Sequence, residues 1–166
     1  MTPGYCAAGI AAATSIAGAD DIAYRTWQVL RGVAITSPGP FNLASTYLRL
    51  RADNSAEPLP VNAEFWPKLM SGALGTFHRE SLVTMISFSA AWNNWEMHPN
   101  GDEIVCLLSG KVSMVLEIGG GERVVELAAP GDYVLVPKGT WHTARTSEKC
   151  TMIFVTPGEG TEHRPT

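Results

Sequence analysis

The sequence predicts an all-β protein whose antiparallel strands form a sandwich or a closed barrel. Short apolar or alternating segments recur every eight to twelve residues from Leu82 to Thr156, with turn residues between them. Helical periodicity is almost absent after residue 81. The length of 166 residues suits a single domain with one sizeable core.

Residues 1–40 differ in composition from the rest and are predicted to form an N-terminal arm, which leaves residues 41–166 as the β domain. Residues 6–18 are mostly small and apolar, as in a signal peptide, but the first basic residue is Arg25, so the charged start of a signal is missing. We therefore expect a short helix or a disordered arm that the β domain does not need for folding, with a secretory signal as the alternative. Pro38 and Pro40 separate the arm from the β domain.

The first half of the β domain is predicted to contain two strands and little helix. Alternation at residues 47–51 indicates a strand at a sheet edge or facing a dimer partner. Prolines and glycines restrict residues 57–81 to a loop with a short helix near residues 63–70. Residues 82–90 form a clear strand, and its even-numbered face continues to Glu96 and His98 if the register persists past Asn93 and Asn94. A bulge at the two asparagines would reset that register.

The second half is predicted to be a series of strands joined by tight turns. Residues 104–108 form an apolar strand, and three glycines join residues 111–118 to residues 122–127 in a hairpin. Further strands are expected at residues 133–136, 141–146 and 149–156, with proline-glycine turns between them. Cys106 and Cys150 lie in such strands as free, buried thiols, and the odd total of three cysteines favours a reducing cytoplasm.

Two strand–turn–strand segments carry side chains that can bind a metal. Glu96 and His98 are two residues apart, so both project from the same face of an extended strand. A turn at Asn100-Gly101 then leads to Asp102 and Glu103 at the start of the next strand. His142 lies at the end of the second such segment. Two imidazoles and up to three carboxylates can therefore meet, which indicates a metal site.

The first segment resembles the first motif of the cupin superfamily. His98 fits the second histidine of that motif, Glu103 follows after four intervening residues, and Gly110 follows after six more. Glu96 stands where the first histidine is usual, and Trp92 stands where the opening glycine would be.

The second segment is similar to the second cupin motif, with one departure where Thr146 replaces the closing asparagine. The resemblance covers roughly residues 82–155 and implies a small jelly roll and a homodimer. The matching positions of the second motif are Gly131, Pro137, Gly139 and His142.

The resemblance implies that His98, Glu103 and His142 bind one divalent metal, with Glu96 as a fourth ligand or as a catalytic base beside the metal. This ligand set favours Fe2+ or Mn2+, with Zn2+ or Ni2+ as further options. Asp102 is the alternative to Glu103, but the motif spacing and the opposite directions of neighbouring strand side chains favour Glu103, with Asp102 capping the turn. The alternative for the whole site is a cupin that has lost its metal, in which the buried carboxylates would be costly.

The roles of the remaining aromatic and histidine residues are predicted from strand direction and from their place in the chain. Trp92 shares the ligand face and is expected to line a substrate pocket, whereas Trp95 and Trp141 should point away from it into sheet packing or a dimer contact. His78 is expected to be solvated in its loop, and His163 in a C-terminal tail.

The resemblance implies a metal-dependent enzyme, such as a dioxygenase, isomerase or decarboxylase/lyase, that acts on a small organic molecule in the cytoplasm. A non-catalytic cupin that binds or senses a small ligand is the alternative. No DNA-binding or enzymatic domain accompanies the predicted barrel, which leaves a sensor little to control and favours the enzyme. The net charge of −4 and the lack of a basic patch argue against nucleic acid as a partner, and no membrane partner is expected.

Overall fold

Eleven strands and one short helix make up the part of the protein that the computed structural model describes, residues 38–166. Residues Pro40–Thr166 form one compact unit. The predicted N-terminal arm lies almost wholly outside the described residues. The helix α1 spans Phe65–Met70. The strands are β1 Thr46–Leu50, β2 Ala56–Pro60, β3 Ser81–Phe88, β4 Asn94–Met97, β5 Glu103–Ser109, β6 Val112–Ile118, β7 Gly121–Leu127, β8 Tyr133–Val136, β9 His142–Arg145, β10 Cys150–Pro157 and β11 Glu162–Pro165.

The strands form two antiparallel sheets. One sheet has six strands in the order β2-β1-β3-β10-β5-β8, and the other has five in the order β11-β4-β9-β6-β7. The predicted all-β jelly roll is therefore confirmed. The one described helix is far too short to cross a lipid bilayer.

The main core consists of inward-facing side chains from both sheets. Alternation along β5 and β10 buries every second residue, as period-two strands with one solvated face require. Cys150 is fully buried and Cys106 is half-buried, and neither forms a disulfide. The central members of this core are Val105, Leu107, Met114, Leu116, Val136, Met152 and Phe154.

Strands β2 and β11 were not predicted from the sequence, because they contain prolines and charged residues that are unusual in strands. β2 pairs only with β1, so Pro58 and Pro60 sit on a sheet edge, where a missing N–H removes no bond that the sheet needs. β11 carries charged residues and Pro165 at the edge of the other sheet, where it pairs with β4. The residues predicted as a loop and as a tail are therefore partly strand.

The strand predicted to run on from residue 82 ends at Phe88, and the chain then crosses from the six-stranded to the five-stranded sheet. The sequence predicted either one register continuing to His98 or a bulge at Asn93 and Asn94. Both alternatives are wrong, because β3 and β4 belong to different sheets. The even-numbered side chains nevertheless line one pocket before and after the crossing: Leu82, Thr84, Ile86, Phe88, Trp92, Glu96 and His98.

An ion pair beside Gly75, one of the residues that line this pocket, anchors the segment between α1 and β3. Arg49 on β1 is 9% exposed, and its Nε donates to Glu80 Oε2 at 2.5 Å. Its Nη1 donates to the carbonyl of Leu74 at 2.6 Å, and its guanidinium lies 4.0 Å from the ring centroid of Phe77. These contacts hold the loop that carries Phe77 and Gly75 against the pocket.

Candidate metal centre

Three polar side chains form a row across adjacent strands of the five-stranded sheet. His163 on β11 pairs with Glu96 on β4, and Glu96 pairs with His142 on β9. Residues directly opposite each other on paired strands project from the same face. The row therefore brings an imidazole, a carboxylate and a second imidazole together.

His98 and Glu103 complete the group from either side of the turn between β4 and β5. The donor atoms of Glu96, His98 and His142 lie within 4.8 Å of one another. Glu103 comes from the six-stranded sheet, with Oε2 3.0 Å from His142 Nε2 and Oε1 3.5 Å from His98 Nε2. The site thus joins the two sheets in the interior of the sandwich.

The turns that position these ligand candidates are held by hydrogen bonds between the two motifs. Gly139 N donates to the carbonyl of His98 at 2.8 Å, and Lys138 N donates to Asp102 Oδ1 at 2.8 Å. Asp102 thus binds the turn that follows β8, whereas the prediction was a cap on its own turn at Asn100-Gly101. The neighbouring Glu103 side chain is 1% exposed and faces both imidazoles. The geometry favours Glu103 over Asp102 as a ligand candidate.

The inner atoms of this group lack hydrogen-bond partners. His98 Nε2, His142 Nε2 and Glu103 Oε2 are buried and form no hydrogen bond of acceptable geometry, although they converge. His142 Nδ1 lies 3.3 Å from the carbonyl of Thr140, which can only accept, so the ring proton of neutral His142 is on Nδ1. Its Nε2 lone pair then faces a carboxylate oxygen, and a cation between them would satisfy both.

Burial and charge act in opposite directions on these groups. Burial favours the neutral acid of Glu103, but close contact with His142 and His98 outweighs burial and lowers the pKa of Glu103 from 4.5 to about 2. Burial alone would lower the pKa of His142, yet contact with Glu103 outweighs it and raises that pKa above 6.5. Glu103 is therefore an ionised carboxylate in the protein interior. Its negative charge must be balanced there, either by a proton on one of the two neighbouring imidazoles or by a metal ion.

Threonines surround the group and orient its members. Thr161 Oγ1 lies 3.0 Å from His98 Nδ1, and Thr156 Oγ1 donates to Glu103 Oε1 at 2.5 Å. Such outer contacts fix the ring orientation and leave the inner nitrogen free, which is the usual support for histidine ligands. Neither threonine was singled out from the sequence, because both come from the segment after Cys150 and reach the site only through the fold.

Glu96 occupies a different environment from Glu103. Its side chain is 26% exposed, and Oε1 lies 3.1 Å from His163 Nε2 and 3.4 Å from Asn94 Nδ2. Glu103 is therefore almost fully buried between imidazoles, whereas Glu96 is partly exposed. This difference leaves the ligand and base roles of Glu96 both available.

A pocket of about 980 Å³ opens beside the group and extends towards α1. Trp92 lines it, with ring centroids 5.7 Å from Phe88 and 5.8 Å from Phe154. The metal-ligand candidates Glu96, His98 and Glu103 also line it. The size is in the range of pockets that hold a small organic ligand.

Some side chains lie where the sequence did not place them. His163, expected in a solvated tail, is on β11 and touches Glu96, so that prediction is wrong. The segment Glu162-His163-Arg164 is polar throughout, so no apolar alternation indicated a strand there. His78 is exposed, as expected, and lies 3.0 Å from Glu159.

Trp95 and Trp141 point away from the pocket. Trp95 is 7% exposed, and the guanidinium of Arg164 lies 5.3 Å from the Trp95 ring and 4.5 Å from the Trp141 ring. Arg164 also pairs with Glu117. Both indoles therefore have the first of their two predicted roles, packing on the sheet. Their contacts with Arg164 stabilise the position of β11 at the sheet edge.

Residues 89–156 match the family described as "Cupin domain". No curated protein sequence matches the chain. Among solved structures, a cupin-2 domain protein from Shewanella frigidimarina is 19% identical, with 46% of this chain and 70% of that chain covered and a TM-score of 0.40. A variant of Bacillus subtilis oxalate decarboxylase is 21% identical, with coverages of 52% and 23% and a TM-score of 0.41.

A hydroquinone 1,2-dioxygenase from Sphingomonas sp., with 4-hydroxybenzoate bound, is 14% identical, with coverages of 46% and 58% and a TM-score of 0.39. The chain thus spans under a quarter of the length of the decarboxylase and somewhat more than half of the dioxygenase. Similarity at these levels transfers no activity or substrate to this chain.

Fold and site together define a two-sheet jelly-roll protein with a group of histidine and glutamate side chains between its sheets that could hold a metal. The family match includes both histidine motifs, from Trp92 to Thr146. Residues 89–156 thus carry the sequence features of a cupin domain within a jelly-roll fold.

Proposed function

We propose that this cupin is an enzyme that binds one divalent metal through His98, Glu103 and His142 and acts on a small organic molecule in the adjacent pocket. The proposal is carried by three buried, converging atoms that form no hydrogen bond of acceptable geometry: His98 Nε2, His142 Nε2 and Glu103 Oε2. Buried polar groups in native proteins are nearly always satisfied, and a cation would satisfy all three at once. Glu96 is proposed as the fourth ligand, because its donor atom lies within 4.8 Å of those of both histidines.

The donor set favours Fe2+ or Mn2+ over softer ions. Two carboxylates and two imidazoles are hard to borderline ligands, and thiolates are missing from the described surroundings of the site. Zn2+ and Ni2+ remain further options. When bound, such a cation supplies Lewis acidity and, for iron or manganese, redox chemistry.

The chain itself supplies orientation, water exclusion and a proton acceptor. Thr161 and the carbonyl of Thr140 hold the outer nitrogens of His98 and His142, so both inner nitrogens face inward. The packed rings of Phe88, Trp92 and Phe154 make one wall of the pocket apolar, which disfavours water there. Glu96 borders the pocket, and if it does not bind metal it is the carboxylate best placed to take a proton from a substrate. Oxygenase, isomerase and decarboxylase chemistry all fit these parts.

Elemental analysis of the purified full chain tests the metal site. We expect about one divalent ion per chain. His98→Ala and His142→Ala should lower that content at least tenfold, whereas His78→Ala, which removes an exposed imidazole outside the site, should leave it unchanged. Equal metal content in all four proteins would contradict the proposed site.

Turnover distinguishes an enzyme from a cupin that only binds a ligand. The metal-loaded chain would be incubated with a mixture of small phenols, ketones and carboxylic acids, with and without oxygen, and products followed by mass spectrometry. Products only with oxygen would indicate an oxygenase, and products in both conditions an isomerase or lyase. Binding without any product would favour the non-catalytic alternative.

A further inference from the structure

The carboxylates of the site set its net charge. With His98 and His142 neutral, Glu96 and Glu103 contribute two negative charges, which a divalent ion balances to about zero. A histidine in place of Glu96, as in the usual cupin motif, would leave one positive charge. The metal centre of this chain therefore has no surplus charge with which to attract an anion.

The described walls of the pocket do not supply a cation that is free to pair with an anion. None of the described residues that line it is lysine or arginine, and the lining imidazole of His163 lies against a carboxylate, with Nε2 3.1 Å from Glu96 Oε1. Arg49, behind Gly75, is committed to Glu80 and to the Leu74 carbonyl. Arg164 lies on the outer face of the sheet against Trp95 and Trp141. Placing an anion in this pocket would thus bury an unpaired negative charge, which is strongly unfavourable.

The apolar part of the pocket suits a flat ligand. Trp92 is inclined by 30° to Phe154 and by 55° to Phe88, with centroid distances below 6 Å. Leu82 and Ile86 extend the same wall. Aromatic and aliphatic walls of this kind stabilise ring systems through buried apolar area and offset stacking.

We propose that the pocket selects uncharged, flat, largely apolar molecules, such as neutral phenols or enols, and rejects carboxylates and phosphates of the same shape. The inference rests on the proposed function in taking this pocket as the substrate site. It assigns Glu96 a second role, as the residue that removes the positive charge an anionic substrate would need.

A matched pair of ligands tests the selection. Binding of 2-naphthol and 2-naphthoate to the Mn2+-loaded full chain would be measured by calorimetry near pH 7, where the first is neutral and the second is an anion. We expect 2-naphthol to bind at least about tenfold more tightly, equivalent to about 1.4 kcal/mol. Equal or tighter binding of 2-naphthoate would overturn the proposal.

Substitution of Glu96 tests the cause. In samples that metal analysis shows to hold Mn2+, Glu96→Gln and Glu96→His each raise the charge of the site by one, so the preference for 2-naphthol should fall at least about tenfold or reverse. Glu162→Gln is the matched control, because Glu162 is exposed and does not line the pocket. An unchanged preference in both Glu96 variants would overturn the role of Glu96.

Trp92→Ala should weaken both ligands by a similar factor, since it removes wall area and no charge. Metal analysis of every sample separates this inference from the proposed function. If the chain holds no metal, the proposed function fails. The two carboxylates would then repel an anion more strongly than in the metal-loaded chain, so the ratio of the affinities for 2-naphthol and 2-naphthoate still tests the selection of neutral ligands. Metal without preference for 2-naphthol would overturn the selection alone.

Discussion

At the scale of single residues, His163 adds an outer contact that the sequence motifs do not contain. Its imidazole lies 3.1 Å from Glu96 on the neighbouring strand and lines the same pocket. Glu96 is only partly buried, so this contact and Asn94 are what restrict its position. His163 is a positioning residue in this view.

We expect His163→Ala to weaken metal binding about tenfold, as loss of an outer contact to a ligand typically does, while the saturated content stays near one ion per chain. Titration of the metal-free chain with Mn2+, followed by electron paramagnetic resonance, would give both the affinity and the symmetry of the bound ion. His163→Gln keeps a polar group near Glu96 and should recover part of the affinity. Identical spectra and affinities in all three proteins would contradict the positioning role.

The pKa values of Glu103 and His142 predict that the metal-free chain loses stability as pH rises above 6.5, whereas the stabilisation by bound metal increases over the same range. In the metal-free chain the pKa of His142 is raised above 6.5, so its stabilising contact is complete below pH 6.5 and is lost as pH rises through the raised value. The lowered pKa of Glu103 adds stability above pH 4.5 that is lost as pH falls towards about 2. Metal needs the deprotonated imidazole, so its affinity rises with pH.

Thermal unfolding with and without Mn2+ would show this difference. We expect the increase in Tm on adding Mn2+ to be small near pH 5.5 and several degrees near pH 8. His98→Ala/His142→Ala should show no increase at either pH. A larger effect of Mn2+ at the lower pH would contradict the assignment.

At the scale of elements, the turn between β5 and β6 depends on Gly110. Its φ is +80°, and a Cβ built there would lie 2.3 Å from the carbonyl oxygen of Lys149 and 2.8 Å from Cys150 Cα. Both obstacles are backbone atoms of the segment that enters β10, which cannot move without disturbing the central sheet pairing. Glycine is therefore required at position 110 for two reasons: the positive φ, and the close approach of the backbone at Lys149 and Cys150.

Gly110→Ala should accordingly destabilise the protein far more than Gly120→Ala. Gly120 has a similar φ of +83° but nothing within 4 Å of a built Cβ, so its variant measures backbone strain alone, about 1 kcal/mol. We expect Gly110→Ala to lower Tm by at least about 5 °C more, because overpacking adds about 1–3 kcal/mol. Differential scanning calorimetry would measure both. Equal shifts would mean that the β10 segment moves aside.

At the scale of the whole molecule, the outer face of the six-stranded sheet near β8 exposes an apolar patch of Ile104, Leu108, Tyr133 and Leu135. Their exposed fractions are 40%, 38%, 61% and 56%. Ile104 and Leu135 are directly paired across β5 and β8, and β8 is an edge strand. An apolar patch beside an edge strand is typical of a surface that another chain covers.

We predict that the homodimer expected from the family resemblance uses this patch. Light scattering should give the mass of two chains for the wild type and of one chain for Leu135→Glu, because a buried charge opposes association. Val124→Glu, at an equally exposed position on the other sheet, is the control and should remain dimeric. A monomeric wild type, or a dimeric Leu135→Glu, would contradict this interface.

The sequence by itself determined most strands and the group of ligand candidates. Alternation, glycine turns and motif spacing act over a few residues, so they are sufficient to indicate β3 and β5 to β10 and to predict that Glu96, His98, Glu103 and His142 meet at one site. Glu103 and Asp102 could be told apart because neighbouring side chains on a strand point in opposite directions.

Only the tertiary structure decided what surrounds that group. His163 and Glu96 are 67 residues apart in the chain, and His98 and Thr161 are 63 apart, so no local pattern could pair them. The crossing between sheets after Phe88 likewise follows from how the sandwich closes. Edge strands β2 and β11 escaped prediction because their prolines and charges suit an edge, and an edge exists only once the other strands have paired.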